Sequence, residues 1–148
     1  MKESQPMAPE LEGIQEWINS GPLKLADLKG KVVGIDFWTH SCGNCVNAIP
    51  KLERIYRKYQ DKGFVLVGVH SPELPTDTDI DAIKQFSQKH HLSFPIAVDN
   101  DMMSWQVYNQ RYWPTLYLID KEGKVQSRHI GEGGYDAIEK EIQHLLET

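Results

Sequence analysis

The chain has 148 residues, with 16 Lys and Arg against 21 Asp and Glu, a formal net charge of -5, and 40 % hydrophobic and 25 % charged residues. That length predicts one compact α/β-sized domain with its own core, and the acid excess argues against a nucleic-acid or anionic-membrane binder, which presents a basic face. No run approaches the roughly 18–20 apolar residues of a membrane span, and no leader peptide is visible in the first twenty residues, which carry four glutamates.

Residues 1–9 are polar and proline-containing and are expected to form a flexible lead-in, with the folded domain at 10–148. The stretches 14–19 and 23–25, separated by Ser20-Gly21-Pro22, suggest an N-terminal hairpin. Gly30 closes a short turn. The run KVVGIDFW at 31–38 is apolar and β-rich and predicts a buried strand. From Cys42 a helix is expected, because Val46, Ile49, Leu52, Ile55, Tyr56 and Tyr59 recur at three- and four-residue steps. Pro50 should kink it and Gly63 should end it. A second buried strand is predicted at 64–69 and a second helix at 79–91, then a short strand at 94–98 and a short helix at 101–109. A hairpin follows, with strands at 115–120 and 125–130, and a final helix carries Ala137, Ile138, Ile142, Leu145 and Leu146. Parallel units first and a hairpin last predict a mixed central sheet between helices.

The chemistry is concentrated between the first strand and the first helix. Both cysteines of the chain, Cys42 and Cys45, stand there at C-x-x-C spacing, and none is left for a structural staple elsewhere. A helix start supplies unpaired N–H groups and a partial positive charge, which favour the thiolate of Cys42. Cys42 is therefore the candidate nucleophile, and Cys45, one turn on, is the thiol that would resolve a mixed disulfide. Zinc is the alternative use of such a pair, but no second C-x-x-C and no histidine pair at finger spacing completes four ligands, so no metal is assigned. Asp36, six residues before Cys42 in an apolar strand, is the candidate proton acceptor for the Cys45 thiol; the competing reading is a solvated strand-edge acid. His40 either favours the thiolate when protonated or is a solvated loop residue. Trp38, Tyr112 and Trp113 either rim the thiols or, for Trp38, belong to the core. Glu73 follows the second strand in a loop that either reaches the site or stays on the surface. Asp77, Asp79 and Asp81 lack the glycine and glutamate of a calcium loop and are read as helix-start acids.

These residues together resemble the thioredoxin superfamily: Asp36-Phe37-Trp38, Cys42-Gly43-Asn44-Cys45, Pro50 and Trp113-Pro114-Thr115 stand in its order. The stretch 8–19, the run 25–31 and the insertion after Val69 are similar to the TlpA/ResA-type branch. Gly68 to Glu73, Tyr112-Trp113-Pro114, Tyr117 to Asp120 and Gly131-Glu132-Gly133 resemble the soluble thioredoxin-like domains of DipZ-type thiol:disulfide interchange proteins of cytochrome c biogenesis. The resemblance implies a thioredoxin fold with an insertion after the second core strand. It also implies a cis Pro114 beside the thiols and a Trp113 backbone free to pair with an extended substrate. Trp38, His40, Gly43 and Asn44 complete the implied substrate-binding set. The dipeptide Gly43-Asn44 departs from the Gly-Pro of thioredoxin, and this position helps set redox poise.

The function expected is a thiol:disulfide oxidoreductase, acting as a reductant on cysteines of protein substrates, with no cofactor beyond the Cys42–Cys45 pair. By resemblance it works as a monomer on the extracytoplasmic side of a membrane, supplied with electrons by a membrane thiol reductase; a cytoplasmic setting is the alternative. Two competing functions stay open. One is a thiol peroxidase, because Thr39 stands three residues before Cys42, although Ile35 occupies the place where such sites want proline. The other is a copper-delivery module using both thiols with His40 or His70.

Overall fold

The computed structural model describes residues 5–148. Its ten principal elements are β1 (Glu16–Ile18), β2 (Val32–Trp38), α1 (Gly43–Tyr59), β3 (Phe64–His70), α2 (Ile80–Lys89), β4 (Ile96–Val98), α3 (Met103–Val107), β5 (Thr115–Ile119), β6 (Val125–Ile130) and α4 (Tyr135–Leu146). The strands form one sheet in the order β1-β4-β3-β2-β5-β6. Its centre is parallel, with β2 against β3 and β3 against β4, and its flanks are antiparallel. This is the mixed sheet expected from the element order.

Alternation along β2 sorts the core into two layers. Val33, Ile35 and Phe37 face one cluster, which Trp17, Leu25, Leu28 and Trp105 cover from the N-terminal segment and α3. Val32 and Trp38 face the other, which takes Cys45, Ile49 and Leu52 of α1, Ile83 of α2, and Ile138 and Ile142 of α4. All seven residues of β2 are buried, Asp36 among them, as a largely apolar central strand covered on both faces requires. α1 runs without interruption through Pro50, which faces solvent. The segment after β3 supplies α2 and β4, and β4 is the strand inserted between β3 and β1.

The N-terminal hairpin does not form. β1 pairs antiparallel with β4 instead, Trp17 opposite Ala97. Asn19 turns the chain away at φ 70°, and its amide donates to Ser87 Oγ and to the Leu92 and Phe94 carbonyls at 3.0–3.2 Å. Leu25–Leu28 is a 3-10 turn, begun by the Glu10 carboxylate accepting the N–H groups of Leu25 and Ala26 at 2.7 and 2.9 Å. Those anchors lie far off in sequence or outside the turn itself, so the local pattern carries no sign of them. Part of the expected lead-in, 1–4, lies outside the described residues; Met7 bridges Lys124, and Ala8 N–H donates to the Gly123 carbonyl at 2.9 Å.

Candidate active site

β2 delivers the chain to the thiols at the carboxyl end of the sheet's centre. Past Trp38 the chain turns over Thr39 to Ser41 into α1, whose N-cap is Cys42 at φ -90°, ψ 120°. Cys42 N–H donates to the Thr39 carbonyl at 3.3 Å, and its Sγ accepts the Cys45 N–H at 3.3 Å. A sulfur at this position satisfies one of the donors that every helix start leaves unpaired. Cys42 is half-buried and Cys45 fully buried. Desolvation pushes the Cys45 thiol far up, and its bond with the Cys42 sulfur adds to the shift. The two thiols therefore differ: one meets solvent, the other sits beneath it and holds its proton.

Asp36 shares the sheet face of Cys45. It is 2 % exposed, and its Oδ2 has no hydrogen-bond partner. Burial alone lifts its carboxyl well above the usual range, and its charge in turn raises Cys45. Asp36 lines a crevice with Ala48, Pro114, Gly131 and Tyr135 that leaves about 10 Å³ for solvent. That is about the space one water needs. The solvated reading of this acid is thus replaced by a buried one.

A second polar cluster braces the loop before Cys42. The His40 backbone N–H and its Nδ1 lie 3.1 and 2.9 Å from His70 Nε2, and the rings stack at 5.0 Å. Burial, then the facing His40, hold His70 down to about 3, so it is neutral at ordinary pH. With Nε2 accepting from the His40 N–H, the ring proton falls on Nδ1, which is buried without a partner. Thr39, 0 % exposed, places Oγ1 3.4 Å from the same Nε2. Asp77 accepts from the Ser41 hydroxyl at 2.8 Å and from the N–H groups of Glu73 and Leu74 at 3.0 and 2.9 Å. Burial pushes its carboxyl up, but these donors outweigh that and leave it below the usual range.

The peptide Trp113–Pro114 is cis, and Pro114 is buried. Trp113 donates Nε1–H to the Ser71 carbonyl at 2.9 Å and stacks on Trp105 with 4.0 Å between ring centroids. Asp99 ties the same region together by accepting from the Ser71 hydroxyl and the N–H groups of Ser104 and Trp105, at 2.7–3.0 Å. No backbone hydrogen bond to the described residues engages the Trp113 N–H or C=O.

Of the sequence candidates, Cys42 and Cys45 touch, Asp36 acts on Cys45 and lines a crevice with Pro114, Trp113 and Cys42 pack against the same core cluster, and Gly43 and Asn44 are exposed at the start of α1. Trp38 does not rim the site. It is 0 % exposed, projects onto the α1–α2 layer, and lies edge-on to His70 at 4.9 Å and against Phe86 at 5.5 Å. Nothing of it is left for a substrate. Glu73 is exposed, and only its backbone is engaged. His70, Asp77 and Asp99 act through contacts 28–36 positions apart in the chain, which no local pattern carries. Asp79 caps α2 through the Ala82 N–H at 3.3 Å, as read from the sequence. Among the described residues no group of three or more His, Cys, Asp or Glu is arranged to hold a metal ion.

Residues 6–128 match the model of the AhpC/TSA family. The chain is 42 % identical over 147 residues to the protein DipZ of Mycobacterium tuberculosis, covering 97 % of this chain and 21 % of that one. It thus spans about a fifth of that relative's length. It is 34 % identical to the thiol-disulfide oxidoreductase YkuV of Bacillus subtilis, over 99 % of this chain and 97 % of YkuV. The crystal structure of an exposed lipoprotein thioredoxin, Etrx1 of Streptococcus pneumoniae, superposes with a TM-score of 0.71 at 30 % identity, over 92 % of this chain and 98 % of that one.

Proposed function

The chain belongs to the AhpC/TSA family of thioredoxin-like proteins, and from that premise we propose that it is a thiol:disulfide oxidoreductase reducing disulfides of protein substrates. One observation carries this: an N-cap Cys42 open to solvent, with a buried, proton-retaining Cys45 whose N–H touches its sulfur at 3.3 Å.

The steps follow from that asymmetry. The Cys42 thiolate attacks one sulfur of a substrate disulfide; a Cys42–substrate bond forms, the substrate S–S bond breaks, and one substrate thiolate leaves. Cys45 then loses its proton and attacks the Cys42 sulfur, forming the Cys42–Cys45 disulfide and releasing the second thiolate. Two electrons pass to the substrate. Asp36 accepts the Cys45 proton, directly or through a water seated in the crevice, because burial has already given its carboxylate a raised affinity for one. The Trp113 peptide groups offer an extended chain one more strand, and main-chain pairing of that sort tolerates many sequences.

Electron flow toward the substrate, an extracytoplasmic setting and a membrane thiol reductase as donor complete the proposal. The exposed pneumococcal lipoprotein thioredoxin supports the setting, and the resemblance to DipZ-type interchange domains supports the donor; no helix of the described residues is long and apolar enough to cross a membrane. Equilibration in defined glutathione or dithiothreitol buffers tests the direction. A potential near thioredoxin's, about -270 mV, supports a reductant; one near about -120 mV makes the protein an oxidant.

A further inference from the structure

Beside the Trp113–Pro114 step, on the opposite face of the sheet from Asp36, lies a pocket of about 160 Å³ that the exchange chemistry does not use. Arg111, Tyr112, Thr115, Arg128 and Ile130 line it, with Gln110 at its base. No acidic side chain does. Both arginines are exposed, and neither guanidinium has a hydrogen-bond or ion-pair partner among the described residues. In a chain of net charge -5, two unpaired guanidinia around one concavity make a local positive site. Two of its lining residues add open apolar surface: Tyr112 is 57 % and Ile130 50 % exposed.

The pocket's floor is fixed and its place in the sheet is known. Gln110 Nε2 donates to the Tyr117 hydroxyl, and that hydroxyl donates to the Tyr108 carbonyl at 3.3 Å. Thr115 Oγ1 donates to the Tyr112 carbonyl at 2.8 Å, and Gly131 N–H to the Pro114 carbonyl at 2.8 Å. Across the sheet, Phe37, Thr115 and Ile130 stand in one row. Neighbouring strands are about 4.8 Å apart, so Ile130 lies roughly 10 Å from the strand that ends at the thiols, which an extended peptide crosses in about three residues.

We propose that this pocket is a specificity site for a carboxylate side chain, Asp or Glu, carried by the substrate segment a few residues from its target cysteine. Arg111 and Arg128 take the carboxylate, and Tyr112 and Ile130 cover its methylenes. The occupant is a peptide strand laid along Trp113, so this inference rests on the exchange reading above and adds to it a preferred substrate class. Guanidinium suits the task because its planar fork pairs with both carboxylate oxygens.

The test uses the reduced 148-residue chain and peptides whose single cysteine is capped as a neutral pyridyl disulfide, with Glu or Gln placed one to six positions to either side. Thiopyridone release gives the rate constant for attack. At the favoured position the Glu peptide is expected to react roughly threefold to tenfold faster than its Gln twin at low salt, with the ratio shrinking as salt rises. In the double variant Arg111→Gln, Arg128→Gln that ratio falls to about one. A ratio of one for the unaltered protein at every position, or a preference that survives in the double variant, overturns the assignment while leaving the exchange reading intact. No release above that caused by free cysteine, with any peptide, removes the exchange reading itself and this inference with it.

Discussion

Asp36→Asn isolates the energetic consequence of the buried carboxylate. Asp36 is 2 % exposed, and Oδ2 receives no donor, so its ionised form is stabilised far less in the fold than in water. Its folded-state acidity is weakened by desolvation, while in the unfolded chain it titrates near about 3.9. Between those two values the folded state binds more protons than the unfolded one, so stability falls as pH rises through that window. Asparagine keeps the shape and removes the charge. An uncompensated neutral polar group, which both asparagine and the protonated acid remain, costs about 1–3 kcal/mol in protein mutational data; the ionised carboxylate costs more still, and the variant should exceed the parent at pH 8 by a gain of about that same order. In a domain of this size each kcal/mol moves Tm by roughly 2–4 °C, which makes the gain about 2–12 °C. His70, held to about 3, makes both proteins lose stability toward acid. The difference between them cancels that slope and leaves only Asp36. Urea titrations from pH 4 to pH 8 give the comparison, and the gain should vanish near pH 4. A variant less stable than its parent at pH 8, or a gain independent of pH, refutes the reasoning. The same substitution should slow release of the second substrate thiol.

Two further outcomes follow from the packing. In the native reduced protein iodoacetamide should take Cys42 and leave Cys45 at least about tenfold slower, with Cys45 reacting only on unfolding, because burial holds its proton; peptide mapping that finds both labelled at similar rates contradicts the burial argument. Gly68→Ala places a methyl 2.7 Å from Phe94 Cε1 and 2.8 Å from Trp38 Nε1, overpacking worth about 1–3 kcal/mol. An unchanged urea midpoint would show that this layer yields.

The central strands, α1 and the β5–β6 hairpin were legible because each carries its own pattern: an apolar, β-rich run in β2, three- and four-residue steps in α1, a glycine turn between β5 and β6. The thiol pair and Asp36 were legible for a related reason, since an acid inside an apolar strand and two cysteines at a helix start are local anomalies. β1 was read into a hairpin because a three-residue strand has no period of its own. Its partner β4 begins 78 positions further along, at the Ile18–Ile96 pair. Trp38 was ambiguous for the same reason: an aromatic at a strand end is rim or core according to what α2 lays over it, and Phe86 decides that. The His40–His70 stack and the Ser41–Asp77 bond join segments 30 and 36 residues apart, so they exist only once the sheet has closed.

The central claim is that Cys42 attacks and Cys45 resolves, and trapping separates the two roles most directly. Reduced Cys45→Ser protein mixed with a protein disulfide such as insulin should accumulate a one-to-one mixed disulfide, mapped by mass spectrometry to Cys42, while Cys42→Ser protein should form none. An adduct through Cys45 in the second variant, or none in the first under conditions where the unaltered protein turns insulin over, would contradict the account.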